Sequence, residues 1–153
     1  MQLYTDGSFS SKTNNGGWAV VDPTFSTIFP LCYGSEHNTT NNRMEMMALI
    51  AALKHTLNWN LTHMMIEPHT IYTDSAYLAN CFAQKWYVNW RANGWKNSAK
   101  KPVANKDLWE QILELYEAQP NTIIEKINGH SGETFNELAD SYAVLAREGK
   151  IQL

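Results

Sequence analysis

Met1-Gln2-Leu3-Tyr4-Thr5-Asp6-Gly7-Ser8-Phe9 begins with apolar and polar residues alternating around Leu3 and Thr5, then presents an acid, a glycine and a serine. The alternation predicts a strand and Asp6-Gly7-Ser8 the turn that closes it, which places Asp6 at a strand's end. Residues 16–21 read as a second strand, Asp22-Pro23 as a turn and residues 26–33 as a third strand, together an antiparallel meander. Pro30 lacks the N–H that a central ladder needs, so the third strand is expected at an edge.

From Thr40 the period changes. Met44, Met47, Ala48, Ala51 and Ala52 recur at helical spacing with no breaker before Asn58, which predicts a helix over 41–57 with Glu45 in its first turn. Residues 65–72 form a further apolar, partly β-branched run that stops at Thr73-Asp74-Ser75, and residues 76–83 read as a short helix. An amphipathic helix is expected from 105 or 106 to 118, with Leu108, Ile112, Leu115 and Tyr116 on one stripe. Residues 122–127 read as a last strand, 128–133 as a loop and 134–147 as a closing helix. Three strands followed by alternating elements predict an α/β fold with a mixed sheet flanked by helices.

With 153 residues, 44% of them hydrophobic and 18% charged, the chain suits one globular domain over 1–153 rather than a disordered one. The start lacks a basic segment followed by an apolar run, and residues 44–53, the longest apolar-rich stretch, are too few to span a bilayer. A cytoplasmic protein with no membrane association is expected. Cys32 and Cys81 fit no metal-ligand or CxxC spacing and read as reduced thiols. The net charge of −3 conceals a strong asymmetry: residues 85–106 carry six bases and no acid, against six bases and fifteen acids elsewhere. That segment is a basic patch on an acidic body.

Open α/β sheets place their sites at strand ends, so Asp6 and Asp74 would face one point if their strands pair in parallel. Glu45 and Asp140 could complete a ring of four carboxylates, a donor set for hard divalent cations. Read singly, each acid has a plainer use. Asp6 and Asp74 suit turns or helix caps, Asn42 and Glu45 have capping-box spacing, and Asp140 suits an exposed helix face.

Taken together, Tyr4-Thr5-Asp6-Gly7-Ser8, Thr40-Asn41-Asn42-Arg43-Met44-Glu45, Tyr72-Thr73-Asp74-Ser75, Gly129-His130-Ser131-Gly132 and Asn136-Glu137-Leu138-Ala139-Asp140 resemble the motifs of the type 1 ribonuclease H family, in its order and over nearly the whole chain. The resemblance is to its compact bacterial or phage-type members. It implies a ribonuclease H-like fold with three antiparallel strands first and two parallel strands after, plus a basic helical handle at about 84–106. The implied activity is Mg²⁺-dependent endonucleolytic hydrolysis of the RNA strand of an RNA-DNA hybrid duplex, leaving 5′-phosphate and 3′-hydroxyl ends. Asp6, Glu45, Asp74 and Asp140 would hold two Mg²⁺ ions, for which Mn²⁺ can substitute, and His130 would assist water activation or product release.

The resemblance also assigns recognition. Lys85, Trp86, Arg91, Trp95, Lys96, Lys100 and Lys101 of the handle would meet the backbone, and Asn41 and Asn42 the minor groove of the hybrid. Packing competes as a role for the tryptophans, above all Trp90, and helix capping as a role for Asn41. His37, His55, His63 and His69 form no zinc-ligand spacing and read as surface or structural residues. Three departures stand out: Ser10 to Asn15 replace a glycine- and proline-rich loop, Ala76 replaces a common glutamine, and Ala92, Asn93 and Ala104 fall where charges are frequent. Weaker binding with a shallower salt dependence is expected. A monomer with no obligate protein partner is the expected state. The alternatives are a catalytically inactive hybrid-binding module and a DNA-directed nuclease of the same fold.

Overall fold

The computed structural model describes residues 1–127 and 134–151. Five strands and five helices follow one another: β1 (Gln2–Ser10), β2 (Asn15–Val21), β3 (Cys32–His37), α1 (Asn41–His63), β4 (His69–Thr73), α2 (Ala76–Gln84), α3 (Trp86–Ala92), α4 (Lys106–Glu117), β5 (Thr122–Lys126) and α5 (Thr134–Arg147). The strands form one sheet in the order β3-β2-β1-β4-β5. β1 pairs antiparallel with β2 and parallel with β4, and β5 adds in parallel to β4. This is the mixed sheet expected from the strand pattern.

Two neighbouring glycines show which helix covers which face. A side chain on Gly16 would run into Met44 of α1, whereas one on Gly17 would run into the backbone of Ala143 and Arg147 in α5. Successive strand residues point to opposite faces, so α1 and α5 lie on opposite sides of the sheet. β1 obeys the same alternation. Leu3 joins the main core with Leu49, Leu53, Ile71 and Trp109, while Tyr4 packs with Phe135 on the α5 side. Gln119 joins the helical layer to the sheet: its amide bonds the Leu53 carbonyl, and its oxygen accepts from Thr56 and Thr122.

Four boundaries differ from the sequence reading. β1 does not end at Asp6 but continues to Ser10, because β2 supplies a hairpin partner through the Ser10↔Asn15 pair. The third strand is Cys32–His37 rather than 26–33: Asp22 folds residues 22–26 into a turn, and pairing resumes only past Pro30, where Leu31 N–H bonds Val20 O at 2.8 Å. α1 runs through Asn58 to His63, its last turn held by Trp59 stacked on His63, and it ends with Met64 in the left-handed region at φ 51°. The fourth strand starts at His69, since Met65 and Ile66 are exposed and Pro68 precedes the ladder.

Candidate active site

β1 and β4 are in parallel register with Tyr4 opposite Tyr72, the last pair between them. Asp6 lies two residues beyond Tyr4 and Asp74 two beyond Tyr72, so matching carboxylates flank the point where the two strands part. Thr5 ties this junction by donating its hydroxyl to Tyr72 O at 2.9 Å, and Ile127 N–H closes on Thr73 O at 2.8 Å. Ser75 then caps α2 by accepting from Leu78 N–H, which turns the chain away and leaves Asp74 at the rim.

Glu45 comes from the other layer. Thr40 is the N-cap of α1, accepting from Arg43 N–H at 3.2 Å, and the helix start lies against β1 at Gly7. A Cβ on Gly7 would sit 2.6 Å from Glu45 N and 2.7 Å from Met44 C. The missing side chain is what lets the Glu45 backbone come so close to the residue after Asp6. One oxygen each from Asp6, Glu45 and Asp74 lie within 4.8 Å of one another. Asp140, on the second turn of α5, is within hydrogen-bonding reach of Asp6. Three of the four acids singled out by sequence thus form one group, and Asp140 approaches it on the Asp6 side.

Asp6 is 3% exposed and Glu45 4%. Burial first, then repulsion from Glu45 and Asp74, pushes the Asp6 pKa up to about 11. Burial and the Asp74 charge push Glu45 up to about 8, partly offset by the hydrogen bonds it accepts from Asp6 and Gly7. Both shifts favour the neutral acids, and Asp6 Oδ1 accepts from Gly7 N–H at 2.9 Å. Among the described residues, Glu45 Oε2 has no hydrogen-bond partner. A buried orphan acceptor beside two further carboxylates is a donor set short of a cation, and its all-oxygen chemistry fits a hard divalent ion.

Two grooves meet at the start of α1, the helix that carries Glu45. One of about 770 Å³ runs between the start of α1 and the handle and is lined by Asn42, Trp86, Asn89 and Asn93. The other, of about 870 Å³, runs between β3 and the start of α1 along Glu36, His37, Thr40 and Asn41. Asn41 and Asn42 therefore lie on groove walls, with the capping role taken by Thr40.

The handle residues divide. Lys96, Lys100 and Lys101 are exposed on a loop pinned by Asn97, whose Oδ1 accepts from Ala99 and Lys101 N–H, and Lys85 is exposed at the α2–α3 junction. Trp90 is buried edge-on against Trp109, while Trp86 and Trp95 pack beside it half-buried. Arg91, expected to meet the nucleic-acid backbone, pairs with an acid in this structure. Its two terminal nitrogens each bond a Glu117 carboxylate oxygen at 2.8 Å, over the Tyr87 ring. His130 lies outside the described residues. His69 is structural, its ring bonded to the Met1 amino group and to Asn60 Oδ1. Two residues lie inside the quoted motifs but had no role assigned from sequence: Gly7, which reads as a turn residue, and Arg43, whose partners Glu36 and Asp107 are remote in sequence.

The chain matches the family model described as RNase H over residues 1–148. It is 41% identical over 143 residues to Ribonuclease H of Caldicellulosiruptor saccharolyticus, covering 92% of this chain and 91% of that protein. It is 43% identical over 143 residues to Ribonuclease H of Francisella tularensis subsp. novicida, covering 92% and 86%. Among solved structures, the solution structure of the PFV RNase H domain superposes with a TM-score of 0.72 at 29% identity, over 97% of this chain and 94% of that one. The chain belongs to the RNase H family.

Proposed function

We infer that this protein is an endonuclease that hydrolyses the RNA strand of RNA-DNA hybrids at the site formed by Asp6, Glu45, Asp74 and Asp140. The observation that carries this reading is the convergence of these acids, with an unpartnered buried oxygen on Glu45, in a chain of the RNase H family. Two Mg²⁺ ions held by these carboxylates, or Mn²⁺ in their place, would lower the pKa of an attacking water and balance charge on the leaving 3′-oxygen. Asp6 and Glu45 release the protons that burial leaves on them as they take up a cation. His130 assists at the water or the departing product.

Asn41 and Asn42 present short amides at the groove walls, the group type able to read a 2′-hydroxyl. Lys85, Lys96, Lys100 and Lys101 attract the phosphate backbone, Trp86 gives the handle groove an aromatic wall and Trp95 supports it through Trp90; Arg91 pairs with Glu117. Residues 1–153 act as one domain, a monomer of the cytosol. No helix of the described residues is long and apolar enough to cross a membrane.

The reaction is tested with a labelled RNA strand in matched RNA-DNA, RNA-RNA and DNA-DNA duplexes, with Mg²⁺ or chelator. Cleavage of the hybrid alone, dependent on Mg²⁺ and lost in Asp74→Asn, is the expected result; hybrid binding without cleavage under any divalent ion would favour the inactive module. Recognition gives a second prediction. Each of Lys96→Ala, Lys100→Ala and Lys101→Ala should weaken binding uniformly across sequences and reduce the log–log salt slope by about 1. Arg91→Ala should leave that slope unchanged. A lower slope for Arg91→Ala would show that hybrid binding draws its guanidinium away from Glu117.

A further inference from the structure

Arg43 occupies a position that local helix electrostatics disfavours. It is the third residue of α1, at the positive end of the macrodipole, and Glu45, expected in the first turn, falls just past it. Its guanidinium is nonetheless fixed from two sides. Nε bonds Glu36 Oε1 of β3 at 2.6 Å, and one terminal nitrogen lies 3.7 Å from Asp107 Oδ2 in the first turn of α4. Glu36 belongs to the edge strand, and Asp107 follows directly on the handle's last residues. One side chain thus joins three elements at the turn that carries Asn41 and Asn42 and leads into Glu45. The two grooves share Asn42 and Ala104 as a common wall. Arg43 adjoins that wall and itself lines the β3 groove.

We propose that Arg43, clamped by Glu36 and Asp107, is a positioning residue that sets the spacing between the handle groove and the β3 groove, and so the fit of the hybrid across both. This rests on the hybrid-cleaving reading above. Arg43 acts through the Asn42–Ala104 wall, with its own charge already taken up by the two acids. A locally unfavourable residue retained by two specific partners is what a functional constraint, rather than helix stability, would produce. An ion pair at this exposure contributes little to global stability, so binding and folding effects can be separated.

The test compares Arg43→Ala, Glu36→Gln and the double variant by steady-state cleavage of an RNA-DNA hybrid in Mg²⁺ at several salt concentrations, with melting temperatures alongside. Both single variants should raise KM several-fold at nearly constant kcat, the double should match the worse single, and the salt slope should not change. The Glu36→Gln arm is decisive. If Arg43 instead contacts phosphate directly, removing the acid lowers KM and Arg43→Ala reduces the slope by about 1, which overturns the proposal. Unchanged KM with only a lower melting temperature overturns it as well and leaves a purely structural role. A wild-type protein that neither binds nor cleaves the hybrid refutes the functional reading itself, which the variants' KM values alone cannot do.

Discussion

Asp6→Asn is expected to raise the melting temperature of the metal-free protein while cutting hybrid cleavage to below roughly a hundredth of the wild-type rate. The second half follows if Asp6 is a direct ligand of the proposed cation, since even outer partners of metal ligands are worth roughly 10- to 100-fold. The first half follows from the direction of the pKa shifts. Burial and then neighbouring acids raise Asp6 from its ordinary 3.8 to about 11, and Glu45 from 4.5 to about 8. In the unfolded chain both ionise near their ordinary values, so above those values the folded state binds more protons than the unfolded one. Stability is then full below the ordinary values and falls as pH rises through the folded ones. Asparagine removes the Asp6 share of that loss, so the gain should be small at pH 4 and larger at pH 8. For a domain of this size each kcal/mol moves the midpoint by roughly 2–4 °C, so thermal scans across pH resolve it. Mg²⁺ should stabilise the wild type more than the variant. A metal-free midpoint at pH 8 equal to or below the wild type would refute this account of the site's electrostatics.

Gly7→Ala is expected to damage folding and chemistry together. The new methyl would lie 2.6–2.8 Å from Glu45 N, Met44 C and Met44 Cβ, and two of those atoms are helix backbone that no rotamer change can move. Relief requires shifting α1 away from β1, an overpacking cost of roughly 1–3 kcal/mol. The shift also carries Glu45 away from Asp6 and Asp74. Reduced kcat with a melting temperature several degrees lower is the predicted pair of results. Wild-type kcat in a folded Gly7→Ala protein would mean that Glu45 tolerates displacement.

The sequence makes the carboxylates legible because each lies in a short motif at an element boundary, and the β1–β4 register confirms the inference that parallel pairing would bring Asp6 and Asp74 together. The meander and helix order were equally readable from period changes. Strand ends were not. Nothing local distinguishes Gly7 as a turn residue from Gly7 as a close-approach residue within a strand, since the answer depends on a helix start some 35 residues later in the chain. The exposed Phe25 and Ile28 resemble strand residues by type, yet Asp22 draws the Phe25 backbone into a turn and the Ser26 hydroxyl accepts from Ile28 N–H. The handle shows the same limit. Its six bases are visible in composition, but the pairing of Arg91 with Glu117 depends on how α3 and α4 pack.

The order in which the acids occur along the chain has a consequence for biosynthesis. Asp6, Glu45 and Asp74 all precede the handle, whereas Asp140 is on the last helix, which covers β1 and β2 where Gly17 leaves room for Ala143 and Arg147. During translation the first three acids leave the ribosome well before the fourth. A ribosome-bound chain that has not yet released α5 has an uncovered sheet face and an incomplete set of acids.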